Sequence, residues 1–329
     1  MMPDPARIEE AVALLNAGEL VAFPTETVYG LGADARNPAA VARIFAAKGR
    51  PASHPLIVHV SGTAAAKEWI ADLPDSAKRL ADAFWPGPLT IVLPKAAGVP
   101  AAITGGQSTV ALRVPAHPVA RALLAAFGGG IAAPSANRYG RISPTSADDV
   151  REELGDRVGL VLDGGPCAVG LESTIVACIG GRVSLLRPGA VSRSQLEDIV
   201  GPVADADASS PRAPGRDHSH YAPRTTLFVI SAGELLPEVN RALAGGGRLA
   251  VIARGAAPVV SDRLVWRQLD SQPAGYGRAL YAALRELDRL GAARIFVEEV
   301  PGEEAWAAIA DRLRRAAAQI VDGVVSDAT

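Results

Sequence analysis

One segment of the sequence places two cations, two histidines and two prolines within thirteen residues. Lys48 and Arg50 begin it, and Pro51, Ala52, Ser53, His54 and Pro55 lead into the apolar run 56–60, which contains His59. A lysine offers a point charge and an arginine a planar fork, so together they suit a polyphosphate or an acyl phosphate. The alternative is a solvated surface pair. The prolines favour the anion-binding interpretation because they lower the entropy cost of holding the side chains in one geometry.

Three other segments pass abruptly from apolar residues to hydroxyls, carboxylates and glycines. The run 20–23 gives way to PTETVYGLG at 24–32, and similar changes occur in GIAAPSAN at 130–137 and GLESTIV at 170–176. Ligands of α/β sheets bind where strands end. One such loop could be an ordinary turn, but four in one domain predict a binding site.

Hydrophobic spacing predicts the elements that hold these loops. Helices are expected at 5–18, 38–47, 118–127 and 192–200, and strands at 56–60, 89–93, 109–114, 130–133, 158–162, 174–178 and 182–186. Ser192 and Gln195 have the spacing of a capping box, and Gly201 and Pro202 end that helix. We therefore predict a first domain at 1–200.

Residues 201–224 have the composition of a linker, rich in Gly, Ala, Ser and Pro. The stretch at 201–211 is too poor in large apolar residues to build a core. An aromatic residue and two histidines at 216–223 exceed what an inert tether needs. We predict a linker at 201–224 whose second half does more than join two domains.

Alternation resumes beyond Thr225 and predicts a second, Rossmann-like α/β domain at 225–329. Strands are expected at 227–230, 248–252, 263–269 and 294–300, and helices at 234–244, 275–290 and 303–321. The domain contains no GxGxxG, and its three glycines at 245–247 precede a strand, which argues against dinucleotide binding. No catalytic constellation stands out there, so an assembly or regulatory role is expected.

Composition limits the function classes. A length of 329 residues suggests about two domains. With 33 basic and 35 acidic residues, the net charge of −2 gives no global field for nucleic acid. No apolar run reaches the ~18 residues of a membrane span, and we expect a cytoplasmic protein. Cys167 and Cys178 lack metal-ligand spacing and are interpreted as packing residues.

Eight motifs occur in order between residues 20 and 224: PTETVYGLG, KGRPxxxPLIVHV, WPGPLT, STVALRVP, APSAN, GLESTIV, LLRPG and HYAP. Together they resemble the threonylcarbamoyl-adenylate synthases, in the long two-domain form. The resemblance implies an α/β protein, with an N-terminal YrdC-like twisted mixed sheet, flanking helices and a smaller C-terminal Rossmann-like domain. It also implies an enzyme that joins L-threonine, bicarbonate and ATP into threonylcarbamoyl-AMP and pyrophosphate, for threonylcarbamoyladenosine formation in tRNA.

The resemblance assigns five positions to L-threonine: Thr27, His59, Arg113, the Ala133 backbone and Ser173. Arg113 suits the substrate carboxylate because a guanidinium can pair with it bidentately, and the apolar residues 110–112 before it predict a desolvated setting. The alternatives are an arginine that extends from a strand end into solvent and, for His59, a core histidine with satisfied hydrogen bonds.

Lys48 and Arg50 are the predicted catalytic cations, and Arg187 joins them at the triphosphate. The positions predicted to contact ATP are Arg50, His54, Thr109, Ser135, Ser143, Arg187 and Tyr221. His54 stands where the family more often has asparagine, and it could instead cap its turn. The resemblance also implies that the linker 201–224 folds over the nucleotide as a cover. Asp217 and His218 depart from the usual motif there, whereas Tyr221 matches and would form part of this cover.

Magnesium is implied through the substrate phosphates and not through a protein cage. Glu26 and Glu172 are isolated along the sequence and could each orient water or an ion. Beyond the small substrates, the expected partner is the downstream tRNA threonylcarbamoyl transferase machinery, with no stable nucleic-acid complex and no membrane.

Two other functions stay open. One is an RNA-binding module without catalysis, although the near-neutral charge and the lack of interleaved aromatic and basic residues disfavour it. The other is a carbamoyl-adenylate enzyme for another acceptor. Related domains of that kind occur in hydrogenase maturation with acylphosphatase and zinc-finger segments, which this sequence lacks. Oligomeric state and selectivity for threonine over serine are not predicted.

Overall fold

The computed structural model describes residues 4–215, 221–321 and 324–326. These residues form two compact units. The first comprises 4–139 and 143–215, and the second comprises 140–142 together with the described residues from Tyr221 onward. Each unit contains its own sheet and helices.

The first unit is built on a ten-stranded mixed sheet. Its strands are β1 (Val21–Phe23), β2 (Gly30–Asp34), β3 (Ile57–His59), β4 (Leu89–Pro94), β5 (Thr109–Arg113), β6 (Ile131–Ala132), β7 (Leu160–Val161), β8 (Thr174–Ile179), β9 (Arg182–Arg187) and β10 (Ala204–Asp205). Their order across the sheet is β10-β9-β8-β4-β5-β3-β6-β2-β1-β7. The predicted mixed sheet is confirmed.

Eight helices surround this sheet. They are α1 (Pro5–Asn16), α2 (Pro38–Lys48), α3 (Thr63–Ala66), α4 (Asp75–Phe84), α5 (Ala101–Thr104), α6 (Pro118–Phe127), α7 (Ala147–Leu154) and α8 (Arg193–Val200). Local signals set their ends. Asn37 caps α2 through its side chain, a proline follows at the first turn, and Gly49 ends the helix with φ 63°. The predicted capping box of Ser192 and Gln195 is present in α8.

Each element predicted for the first domain is present, with ends that differ by at most two residues. Strand β2 was not predicted, because its two glycines are typical of a loop. Gly32 is required there, since a β-carbon would lie 2.8 Å from the Phe23 ring. The loop predicted at 24–32 therefore ends at Gly30, where β2 begins.

The sheet is covered on both faces. Along β1, Val21 and Phe23 pack with α1 and α6 in one apolar cluster, whereas Ala22 belongs to another cluster that includes residues of α2 and α4. Alternate residues of a strand point to opposite faces, so the two clusters lie on the two faces of the sheet.

Residues 201–215 belong to the first unit, although their composition is that of a linker. Ala204 and Asp205 pair with β9 in parallel, and Val203 and Ala213 are buried. Strand pairing and two small apolar side chains are enough to attach a segment that has no core of its own. Residues 216–220, which include Asp217, His218 and His220, lie outside the described residues.

The second unit contains a parallel four-stranded sheet of order β11-β14-β12-β13. Its elements are β11 (Leu227–Ile230), α9 (Ala232–Ala244), β12 (Leu249–Ala253), β13 (Leu264–Gln268), α10 (Pro273–Arg289), β14 (Arg294–Glu298) and α11 (Ala307–Ala316), followed by the hairpin β15 (Gln319–Val321) and β16 (Val324–Ser326). Parallel strands joined by helices confirm the predicted Rossmann-like class.

The helix predicted at 303–321 is wrong at both ends. A 3-10 turn occupies Glu304–Trp306, and α11 stops at Ala316. Ala317 is extended, and the Ala318 amide donates to the Leu227 carbonyl of β11. Backbone pairing with the sheet thus competes with the helix. No helix among the described residues has both the length and the apolar character needed to cross a membrane.

Candidate functional site

The four polar loops do not all follow strands that point the same way, so they are not gathered at one end of the sheet by strand direction alone. Strands β1 and β6 run opposite to β3 and β5, as their shared antiparallel neighbours require. The loops that follow β1 and β6 therefore leave the sheet at the other end from His59 and Arg113. Long side chains and the loop at 24–29 close that distance.

Arg113 is the centre of one buried cluster. Its Nη2 donates to Glu26 Oε1 at 2.6 Å, its Nη1 to Thr27 Oγ1 at 2.8 Å and its Nε to the Gly87 carbonyl at 3.2 Å. Its side chain is only 4% exposed. An arginine has five N–H groups. Two of them, one on each terminal nitrogen, have no acceptor among the described residues.

Glu26 completes this cluster. Burial opposes ionisation of its carboxyl, but the charge and hydrogen bond of Arg113, with the amides of Glu26 and Ala116, hold its pKa below the usual range. The Ala116 amide donates to Oε2 at 3.0 Å. Glu26 is therefore a carboxylate paired with an arginine, although it is isolated from other carboxylates along the sequence.

His59 lies beside Arg113, because the two residues are paired in the register of β3 and β5. Burial, together with the nearby charge of Arg113, lowers the pKa of His59 to about 3. Its Nδ1 is buried and has no hydrogen-bond partner among the described residues. A neutral imidazole with an unused ring nitrogen can therefore face a ligand held by Arg113.

Lys48 reaches the loop that follows β6. Its Nζ donates to the carbonyls of Ser135 and Asn137, both at 2.5 Å, and the Tyr139 amide donates to the Lys48 carbonyl. Burial lowers the pKa of Lys48 well below its usual range, and the positive charge of Arg50 lowers it further. Lys48 thus fixes the loop that carries the predicted ATP contact Ser135.

Arg50 and His54 lie on the proline-containing loop between α2 and β3. Arg50 is buried, and its Nη2 donates to the Pro55 carbonyl at 3.0 Å within the same loop. His54 contacts the Tyr139 ring edge-on, with the ring centroids 5.6 Å apart. Gly105 approaches this loop so closely that a β-carbon would lie 2.3 Å from the Ser53 carbonyl. The loop is held in place on several sides.

Arg187, at the end of β9, is joined to Ser173. Its Nη2 donates to the Ser173 carbonyl at 2.9 Å and lies 3.3 Å from Ser173 Oγ, and its Nη1 donates to the Pro214 carbonyl. Ser173 Oγ lies 2.8 Å from Thr90 Oγ1. A predicted phosphate contact and a predicted threonine contact are therefore neighbours.

The remaining predicted residues are more scattered. Ser143 is buried and donates to Glu172 Oε1 at 2.5 Å. The Ala133 amide donates to the Ile57 carbonyl. Thr109 begins the strand that Arg113 ends, about 13 Å away at about 3.3 Å per residue. Tyr221 belongs to the second unit, where it stacks on Tyr281 with a 5.9 Å separation and has φ 66°.

Glu26 and Thr90 contact predicted site residues but were not themselves predicted as ligand contacts, although both lie in the motifs quoted above. Glu26 stands directly before Thr27 in PTETVYGLG, and Thr90 ends WPGPLT. Both motifs were visible, but pairing across 87 residues for Glu26 and Arg113, or 83 for Thr90 and Ser173, depends on the folded chain.

The described residues contain no group of three acidic, histidine or cysteine side chains that could hold a metal ion. Cys167 and Cys178 are both buried, and burial raises the pKa of each thiol to about 12. They are therefore poor metal ligands and poor nucleophiles, consistent with packing residues.

Two family models match the chain. The Sua5, YciO and YrdC model, described as telomere recombination, matches residues 13–189, and the model of the C-terminal domain of threonylcarbamoyl-AMP synthase matches residues 191–318. Their order along the chain agrees with two successive domains.

Relatives extend over almost the whole chain. The threonylcarbamoyl-AMP synthase of Bacillus subtilis (strain 168) is 40% identical over 328 residues, covering 94% of this chain and 93% of that protein. The one from Pyrococcus abyssi (strain GE5 / Orsay) is 39% identical over 327 residues, covering 94% and 95%. The crystal structure of P. abyssi Sua5 complexed with L-threonine superimposes with a TM-score of 0.87 at 38% identity, covering 94% and 93%.

Proposed function

Because the chain belongs to the threonylcarbamoyl-AMP synthase family, we propose that its first unit makes threonylcarbamoyl-AMP from L-threonine, bicarbonate and ATP. Two bonds form in this reaction. The amino nitrogen of threonine bonds to the bicarbonate carbon with loss of water, and an oxygen of the resulting carbamate then bonds to the α-phosphorus of ATP as pyrophosphate leaves. The protein is thus a nucleotidyltransferase.

The Arg113 cluster is the observation that supports the threonine half. It combines a buried guanidinium with two unused N–H groups, the Thr27 hydroxyl and the unpartnered Nδ1 of His59. A guanidinium fork matches a carboxylate, and hydroxyl and imidazole groups can hydrogen-bond the amine or hydroxyl of threonine. We assign Thr27, His59 and Arg113, with the Ala133 backbone and Ser173, to threonine.

Lys48, Arg50 and Arg187 are proposed for the triphosphate, with Ser135, Ser143, Thr109 and His54 as added donors. Arg50 and Arg187 are buried, which strengthens their attraction for phosphate oxygens. A bound phosphate would also favour the charged form of the buried Lys48, whose pKa is otherwise lowered. Adenylation depends chiefly on positioning and charge neutralisation. Magnesium enters this proposal as part of the ATP complex, since it is usually bound through phosphates with few protein ligands.

The nucleotide contact of Tyr221 and the closing of residues 211–224 over the site belong to the same proposal and rest on the family resemblance. Limited proteolysis tests the cover. We expect cleavage within 211–224 to slow when ATP and threonine are both present, and an unaltered rate would contradict it. A cytoplasmic location and transfer of the product to downstream tRNA-modifying machinery are also proposed.

Pyrophosphate release provides the test of function. We expect release only when ATP, threonine and bicarbonate are all present, and omission of any one should reduce it to background. Release without threonine would favour another acceptor. Salt-sensitive tRNA binding without any pyrophosphate release would instead favour the non-catalytic RNA-binding function.

A further inference from the structure

We propose that Glu26 is a positioning residue, which fixes the guanidinium of Arg113 so that its remaining N–H groups receive the carboxylate of threonine. This inference rests on the proposed function and adds a residue to its threonine site.

Both carboxylate oxygens of Glu26 are in use. Oε1 accepts from Arg113 Nη2 at 2.6 Å, and Oε2 accepts from the Ala116 amide at 3.0 Å. One side chain from the loop after β1 thereby ties the last residue of β5 to the backbone three residues farther on. The side chain of Glu26 is 11% exposed and that of Arg113 is 4% exposed, so solvent does not loosen the pair.

The guanidinium is held on three sides, by Glu26, Thr27 and Gly87. The two unused N–H groups lie on different terminal nitrogens, and a carboxylate can bind a guanidinium bidentately through one N–H of each terminal nitrogen. Thr27 and Gly87 alone provide a hydroxyl and a carbonyl, both neutral. Glu26 provides the charged hydrogen bond, the strongest of the three constraints.

The pair also explains how a buried cation is tolerated before the substrate arrives. An arginine without a counter-charge is costly to bury, and Glu26 offsets that cost. Threonine is a zwitterion with no net charge, so the neutral pair matches the net charge of the substrate. Glu26 therefore weakens the electrostatic field of Arg113 while it fixes the orientation of the guanidinium.

Glutamine is the informative replacement. It has nearly the shape of glutamate but offers one oxygen acceptor and one NH2 donor. Two N–H donors face this side chain, so glutamine leaves one donor opposed to another. Glu26→Gln should therefore release either the guanidinium or the Ala116 amide.

The experiment measures pyrophosphate release while threonine and ATP are varied in turn. For Glu26→Gln we expect the KM for threonine to rise about 10-fold, with kcat and the KM for ATP within about 2-fold. Glu26→Asp, which is too short to span both donors, should raise the threonine KM about 3-fold and serves if the first variant fails to fold. Glu298→Gln, which alters an Arg–Glu pair of the second unit, is the matched control.

A second readout isolates the carboxylate. By calorimetry, wild type should bind L-threonine more tightly than L-threoninol, which has a hydroxymethyl group in place of the carboxylate. Glu26→Gln should reduce this preference about 10-fold, because a misplaced guanidinium loses its contact with the carboxylate. A protein that is merely destabilised would instead lose affinity for both ligands.

The inference would be overturned if the KM for threonine were unchanged or lower, or if the KM values for threonine and ATP rose equally. A lower KM for threonine would show that the electrostatic field of Arg113 matters more than its orientation. By contrast, a wild-type protein that releases no pyrophosphate with threonine would contradict the proposed function itself.

Discussion

Among the described residues, an Arg–Glu pair lies near strand ends in each unit, buried in the first and partly exposed in the second. Arg113 and Glu26 are 2.6 Å apart, and Arg254 and Glu298 are 2.7 Å apart. The side chain of Arg113 is 4% exposed, whereas that of Arg254 is 25% exposed. The two pairs therefore have nearly the same geometry and different access to solvent.

Their second contacts differ more. Glu298 accepts from both the backbone amide and the guanidinium of Arg254, and the guanidinium lies 5.8 Å from the Trp306 ring. The pair thus connects the ends of the neighbouring strands β12 and β14. Glu26 instead connects Arg113 to another part of the backbone, beside the Thr27 hydroxyl and the His59 imidazole. Buried polar atoms without a hydrogen-bond partner occur at both pairs, His59 Nδ1 beside the first and Arg254 Nε within the second. An Arg–Glu pair with such an atom therefore does not by itself indicate a ligand site, and what distinguishes the first pair is that the proposed threonine contacts adjoin it.

The largest difference in activity is expected between variants that lack one or the other arginine. We expect Arg113→Ala to lower kcat/KM for threonine by at least about 100-fold, roughly 3 kcal/mol, because the substrate carboxylate loses a buried charged partner. Arg254→Ala should leave kcat/KM within about 3-fold of wild type. Pyrophosphate release gives both numbers, with circular dichroism as the folding control, and equal losses in the two variants would remove the functional distinction.

Arg50→Ala should affect the binding of ATP and the binding of threonine to different extents. We expect ATP affinity to fall by about 2 to 4 kcal/mol, because a phosphate loses a charge-assisted hydrogen bond in a desolvated site. Threonine affinity should change much less. Calorimetry with each ligand measures this, and unchanged ATP binding would exclude Arg50 as a phosphate ligand.

His59 should make the first unit sensitive to acid. Its folded pKa of about 3 lies below the ordinary value of 6.5, so the unfolded chain binds more protons below pH 6.5. The contribution to stability is fully present above pH 6.5 and is lost as pH falls towards 3. Between pH 6.5 and 5, the free energy of unfolding should fall by up to about 2 kcal/mol more in wild type than in His59→Gln. Urea titrations at each pH measure the difference, and parallel curves would show that His59 can be protonated in the folded state.

The smallest effect is expected from Glu298→Gln. Replacing one member of this partly exposed charge pair at the ends of β12 and β14 should lower the free energy of unfolding by about 1 kcal/mol. Activity should be unchanged within about 2-fold. A large loss of pyrophosphate release in this folded variant would show that the Arg254–Glu298 pair also contributes to the reaction, and would contradict the assignment of function to the first pair alone.

Local signals made much of the fold predictable. Helix α2 is specified by Asn37, Pro38 and Gly49, and β5 by its apolar run, since caps and periodicity act over a few residues. Strand β2 was missed because glycine is uncommon in strands, and here it is set by close packing on Phe23. The end of α11 was missed because pairing of Ala318 with β11 is a long-range contact.

The order of the amino acids is enough to identify the reactive side chains and the short segments that carry them. It supplied Lys48, Arg50, Thr27, Arg113 and a set of motifs specific enough to identify the family. These features are local, since each depends on neighbours within about ten positions.

The partners of those residues, in contrast, depend on the folded chain. Folding paired Arg113 with Glu26 across 87 positions and directed Lys48 to the carbonyls of Ser135 and Asn137. The mixed strand directions of the first sheet also mean that no common carboxyl edge gathers the loops. Side-chain partners are fixed by which strands lie side by side, and that order depends on packing over the whole unit, which no local pattern encodes.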